Sequence, residues 1–109
     1  MQHWIDICAL NDIPPNSGLA ARLGTTQIAL FHLPDSPEKV FAIGNLDPKC
    51  GANVLSRGIL GDQNGERVVA SPMYKQHFRL SDGSCVEDES VRTPVYPVRV
   101  VEGRVLVAG

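Results

Sequence analysis

No apolar run in the 109 residues approaches the roughly 18–20 residues that a membrane-crossing helix needs. The start, Met1-Gln2-His3-Trp4, shows neither the basic stretch nor the apolar core of a secretory signal. Cysteine is scarce: Cys8, Cys50 and Cys85 are an odd, widely spaced set without a C-x2-C pair, which argues against a disulfide framework and a structural zinc site. Together these features lead us to expect reduced thiols and a cytoplasmic location. Basic charge is not in excess either. Ten Lys+Arg stand against twelve Asp+Glu, a net charge of −2, so there is no global field to gather nucleic acid. A phosphate-binding glycine motif is missing, since Gly58-Ile59-Leu60-Gly61 lacks the strand–helix setting such a loop requires. Ten Gly and eight Pro, spread throughout, leave no window for a long helix.

What remains is one domain of ordinary soluble balance, 43% hydrophobic and 20% charged. Its apolar residues come in short runs bounded by turn signals. Trp4–Cys8 precedes the breaker-rich Asn11–Asn16, and Gly18–Leu23 passes through Gly24-Thr25 into Gln27–Leu33. Pro34–Pro37 separates that run from Lys39–Ile43. Asn64-Gly65, Asp82-Gly83 and Glu102-Gly103 offer the positive-φ backbone of tight hairpins, the last joining Val95–Val101 to Arg104–Ala108. Pro94 and Pro97 cannot donate to a ladder, so Val95–Val101 should lie at an edge or carry a break. Many short strands with regular turns predict an all-β sandwich or barrel.

Catalytic chemistry finds little support in the residue pattern. His3, His32 and His77 show no spacing to a Ser or Cys that suggests a nucleophile and its base. His32 shares a strand face with Ile28 and Leu30, the pattern of a partly buried histidine with a hydrogen-bond partner. The acidic run Glu87-Asp88-Glu89 reads as a solvated loop rather than a metal cage. Cys8 and Cys85 read as packing residues, and Cys50, beside Lys49 in Pro48-Lys49-Cys50-Gly51, as a small half-buried thiol.

Two segments are more specific. Asn45-Leu46-Asp47-Pro48-Lys49-Cys50-Gly51-Ala52 and the run from Ser71 to Cys85 resemble the two boxes of a Rieske-type ferredoxin domain, C-P-H-x-G-A and C-P-x-H-x-x-x-F-x-L-x-x-G-x-C. Pro48 and Pro72 would stiffen the loops, Gly51-Ala52 would allow close approach, and Phe78, Leu80, Gly83 and Cys85 would build the hairpin beyond. A Rieske centre takes two cysteines and two histidines. The four corresponding positions hold Asp47, Lys49, Ser71 and Tyr74. A protonated lysine has no lone pair to give, and serine or tyrosine is a poor substitute for a soft thiolate. The resemblance therefore implies an all-β, Rieske-like ferredoxin fold without its cluster. It would be a single domain over 1–109, with a degenerate cluster-binding subdomain at 44–81 set on a base sandwich made by 1–43 and 82–109. Met73, Tyr74 and Pro72 are expected to pack the tip in place of the metal. An Asp47 carboxylate reaching Lys49, Lys75 or Tyr74 would be the accessory link.

Asp6-Ile7-Cys8, Ala42–Pro48, Val54–Gly58 and Val69–Leu80 are similar to the small-subunit family of assimilatory NAD(P)H-dependent nitrite reductases. That resemblance implies a small, non-catalytic subunit of a cytoplasmic oxidoreductase that reduces nitrite to ammonium. The partner would be a large catalytic nitrite reductase subunit carrying FAD, a [4Fe–4S] cluster and sirohaem, with no cofactor on this chain. The docking candidates are Lys49, Cys50, Met73, Tyr74 and Lys75, the lysines steering toward an acidic patch and Tyr74 acting as an anchor. Two other readings stay open: a stand-alone Rieske-like binding or regulatory module, and a redox-active ferredoxin with unusual ligands.

Overall fold

The structure is a computed structural model that describes residues 3–73 and 76–109. The chain runs through β1 (Trp4–Ala9), β2 (Ser17–Leu23), β3 (Thr26–His32), β4 (Val40–Gly44), β5 (Ile59–Gln63), β6 (Glu66–Ala70), β7 (His77–Arg79), β8 (Val95–Tyr96), β9 (Val98–Val101) and β10 (Arg104–Ala108). Its helical content among the described residues is two single 3-10 turns, at Leu10–Asp12 and Leu55–Arg57, so the all-β expectation holds and no helix is long enough to cross a membrane. The strands form three antiparallel sheets ordered β1-β10-β9, β2-β3-β4-β8 and β5-β6-β7.

Turn chemistry sets the hairpins. Gln63 pairs with Glu66 and Val101 with Arg104, and the two residues between are left-handed in each case: Asn64 (φ 53°) with Gly65 (φ 82°), and Glu102 (φ 51°) with Gly103 (φ 77°). Double left-handed loops match the twist of the flanking strands. Asp82-Gly83 behaves differently from the tight hairpin expected of it. Four residues, Leu80–Gly83, separate Arg79 from Ser84, and the Arg79 N–H donates to the Ser84 carbonyl at 2.9 Å. The wider loop exists because the Asp82 carboxylate accepts both the backbone N–H and the hydroxyl of Ser84, at 2.9 and 2.6 Å. Gly83 is needed here twice over: its φ is 79°, and a Cβ would fall 1.9 Å from the Thr93 carbonyl oxygen.

The segment 95–101 is both an edge and a broken strand. β8 pairs with Ala42 and Ile43 of β4, while β9 pairs with β10, so the chain changes sheets at Pro97. A proline at that step costs no ladder bond.

Packing centres on β3. Ala29 and Phe31, with Leu33 just beyond, face one core, shared with Ile43, Leu55, Val69, Phe78, Leu80 and Cys85. Ile28 and Leu30 face the other, shared with Ile13, Leu23, Val40, Ala42, Val105 and Val107. The alternation of a strand thus serves two interiors, one against β5–β7 and one against β1, β10 and β9. His32 lies on the second side, half-buried, with Nδ1 2.8 Å from the Ile13 carbonyl oxygen, as its position implied. On the outer sheet Arg104 forks onto Asp6 (Nη2–Oδ1 2.8 Å), and the Arg99 guanidinium lies 4.4 Å from the Trp4 ring centre.

Each fully buried aliphatic or aromatic side chain contributes about 1.5–3 kcal/mol. Leu30→Ala should therefore lower the unfolding free energy by about 2–5 kcal/mol, and Ile59→Ala, at a side chain 77% exposed, by less than about 0.5 kcal/mol. Urea denaturation of the two variants checks this.

Candidate functional site

The two resemblance-bearing loops leave the ends of β4 and β6. Asn45, which follows β4, is 1% exposed and anchors the first loop at its base. Its side-chain amide donates to the Asn53 carbonyl and Gln27 Oε1, both at 3.3 Å, and its Oδ1 accepts the Ser56 N–H at 2.7 Å. Its carbonyl takes the Leu55 N–H at 3.0 Å. Further along, Asp47 N–H donates to the Ala52 carbonyl and Gly51 N–H to the Asp47 carbonyl, both at 2.8 Å. Gly51 has φ 75°, and a Cβ there would meet nothing within 4 Å. It is thus glycine for its left-handed backbone, not for the close approach expected of it. In the second loop Ser71 N–H donates to the Gln76 carbonyl at 2.7 Å, and Met73 N–H to Ser71 Oγ at 3.3 Å.

The loops meet through side chains. Asp47 is fully buried and Ser71 is 2% exposed. The Ser71 hydroxyl donates to Asp47 Oδ2, while Oδ1 of the same carboxylate accepts the Lys49 backbone N–H at 2.8 Å. Asp47 does therefore link the loops, through Ser71; of the partners expected for it, Lys49 meets it by its backbone rather than its ammonium, and Lys75 and Tyr74 lie outside the described residues. The reason is geometric: Lys49 turns its backbone, not its side chain, toward the carboxylate. Met73 also departs from expectation. It is 55% exposed and Pro72 is exposed as well, so neither packs the tip in place of a metal. Leu46, 46% exposed, is a second outward apolar side chain here and was not among the expected docking residues. Lys49 is exposed and Cys50 half-buried, both on the first loop; Tyr74 and Lys75 lie outside the described residues.

Beside the tip, Glu87 gathers three donors. It accepts the His77 backbone N–H at 2.9 Å, faces His77 Nδ1 at 2.6 Å and takes the Cys85 thiol at 3.5 Å. Burial pushes the Glu87 carboxyl up, but the hydrogen bonds from His77 and Cys85 outweigh it and hold the group below its ordinary value. The Cys85 thiol is pushed up, chiefly by burial. Although Cys85 and His77 share one carboxylate, the thiol points at the acid and not at the imidazole, so this is not a nucleophile–base pair. Asp88 is held low by the Ser90 hydroxyl and backbone N–H, with a smaller contribution from the Lys49 charge.

A [2Fe–2S] cluster does not fit this donor set. Two positions that would have to supply thiolates are spent on each other, and Lys49 offers an ammonium. Among the described residues no three His, Cys, Asp or Glu side chains come together as a metal site. Gln76 Oε1, buried and without a hydrogen-bond partner among the described residues, is a hard amide oxygen and unsuited to iron–sulfur ligation.

The family profile for Rieske-like [2Fe-2S] domains matches residues 3–108. The chain is 48% identical over 109 residues to the nitrite reductase (NADH) small subunit of Escherichia coli K12, covering the whole of both chains. It is also 48% identical over 104 residues to a nitrite reductase [NAD(P)H] large subunit of Klebsiella oxytoca, covering 95% of this chain and 11% of that one. Among solved structures, a Mycobacterium tuberculosis chain described as an NADH-dependent nitrite reductase small subunit superposes with a TM-score of 0.93 at 48% identity, over 100% of this chain and 96% of that one.

Two outcomes are expected. The purified protein should contain no stoichiometric iron or labile sulfide, by metal analysis and visible absorption, and anaerobic reconstitution should not install a stable [2Fe–2S] spectrum. Glu87→Gln should lower the urea midpoint near neutral pH. Because the folded carboxyl lies below its unfolded value of about 4.3, its contribution is present above that value and fades as pH falls through the folded value. The difference between wild type and variant should therefore shrink on acidification.

Proposed function

We infer that this chain, which belongs to the nitrite reductase small-subunit family of Rieske-like domains, serves as the non-catalytic small subunit of an NAD(P)H-dependent nitrite reductase. The observation that carries the reading is the Klebsiella oxytoca relative. There a segment matching 95% of this chain is built into a polypeptide named as the large subunit, so the two units work there as one molecule. Separate chains of the same family have to reach that arrangement by docking.

In this reading the enzyme is cytoplasmic and serves nitrate and nitrite assimilation. The large partner holds FAD, a [4Fe–4S] cluster and sirohaem, and these carry electrons from NAD(P)H to nitrite and yield ammonium. The small subunit contributes its tip, with Lys49, Cys50 and Met73 on the described loops and Tyr74 and Lys75 beyond them, as the docking surface.

Co-expression with the large subunit should give a complex that stays together through affinity purification and gel filtration. Nitrite-dependent NAD(P)H oxidation by that complex should require the large subunit, and this chain alone should show none. A chain that elutes alone at micromolar concentrations of both proteins would refute the reading.

A further inference from the structure

Buried polar and exposed apolar side chains exchange their usual places at the tip. Asp47 and Ser71 are inside, whereas Leu46, which precedes Asp47, and Met73, two residues after Ser71, are 46% and 55% exposed. We propose that the Asp47–Ser71 hydrogen bond is a built-in clasp that fixes the two loops as one preformed surface, with Leu46 and Met73 the apolar anchors that seat it in a depression on the large nitrite reductase subunit. The docking half rests on the function inferred above.

Three features support the clasp. It joins residues 24 apart in sequence, on loops that leave strands of two different sheets. A fully buried carboxylate is tolerated when its oxygens are hydrogen-bonded, and both of these are, so losing the Ser71 hydroxyl leaves a buried acceptor short of a donor. The same serine oxygen accepts the Met73 N–H at 3.3 Å, which ties one anchor to the clasp, while Leu46 adjoins Asp47 and bridges to Asn53.

In this proposal the apolar anchors Leu46 and Met73, both exposed, carry the docking. Beside them Glu87 is already paired with His77 within the chain. A partner matched to this surface presents an apolar depression, and its grip depends little on salt. A surface already ordered before contact also avoids the entropic cost of ordering loops on binding.

Amide hydrogen exchange on the free chain and affinity for the purified large subunit test the two halves separately. In wild type, the Ser71 hydroxyl proton should be visible by NMR in slow exchange. Ser71→Ala should speed exchange at Asp47, Lys49 and Gly51 by about tenfold or more while the β3 amides stay protected, and should weaken association about tenfold. Leu46→Ser and Met73→Ser should leave exchange unchanged and weaken association by a factor that varies little between low and high salt. A freely exchanging Ser71 hydroxyl, or unchanged loop exchange in Ser71→Ala, overturns the clasp. Wild-type affinity in both anchor variants overturns the docking surface while leaving the subunit assignment intact, and no complex with the wild-type chain overturns that assignment instead.

Discussion

Thr26–His32 has no solvent face over most of its length, and the rest of the molecule is arranged around that fact. A strand offers two faces of alternating side chains, and burying both demands a layer on each side. The outer sheet, which closes the chain's two ends through Trp4–Ala9 and Arg104–Ala108, covers Ile28 and Leu30. Ile59–Arg79, with the hairpin beyond it, covers Ala29 and Phe31. The loops at 45–53 and after β6 at 71–73 follow from this layering. They leave the middle sheet and the third sheet respectively and meet where those two layers adjoin.

Holding such loops together is a problem of polar accounting. Their backbones carry donors and acceptors that must be satisfied away from regular ladders. Asn45 does this at the base and Asp47 at the tip, each side chain taking bonds from its own loop and from another segment. In a metal-bearing relative the ligands would supply the cross-link. Here the Asp47 carboxylate and the Ser71 hydroxyl join the two loops directly.

Much of the architecture was legible in the chain because it is local. Asn64-Gly65 and Glu102-Gly103 specify their turns within two residues, and Pro97 marks the step between sheets. The alternation from Ile28 to His32 foretold one buried face; that Ala29 and Phe31 face a second core depends on a sheet contributed by residues far along the chain. The two boxes were legible as boxes. The bond between Asp47 and Ser71 was not, because it depends on which way two side chains turn after the sheets have packed. Met73 was misplaced for a related reason: its hydrophobicity suggested packing, but the second loop is pinned by Ser71 and faces Met73 outward. Asn45 was read only as part of the first box and Glu87 only as part of a solvated acidic run, because a single polar residue carries no periodicity, and only the partners supplied by the fold reveal what each one does.

A tip closed by oxygen atoms has a further consequence for how the protein is made. Iron–sulfur loops complete their structure only when iron and sulfide are delivered. Loops joined by a hydroxyl and a carboxylate can close as soon as the chain has folded, whatever the state of iron supply.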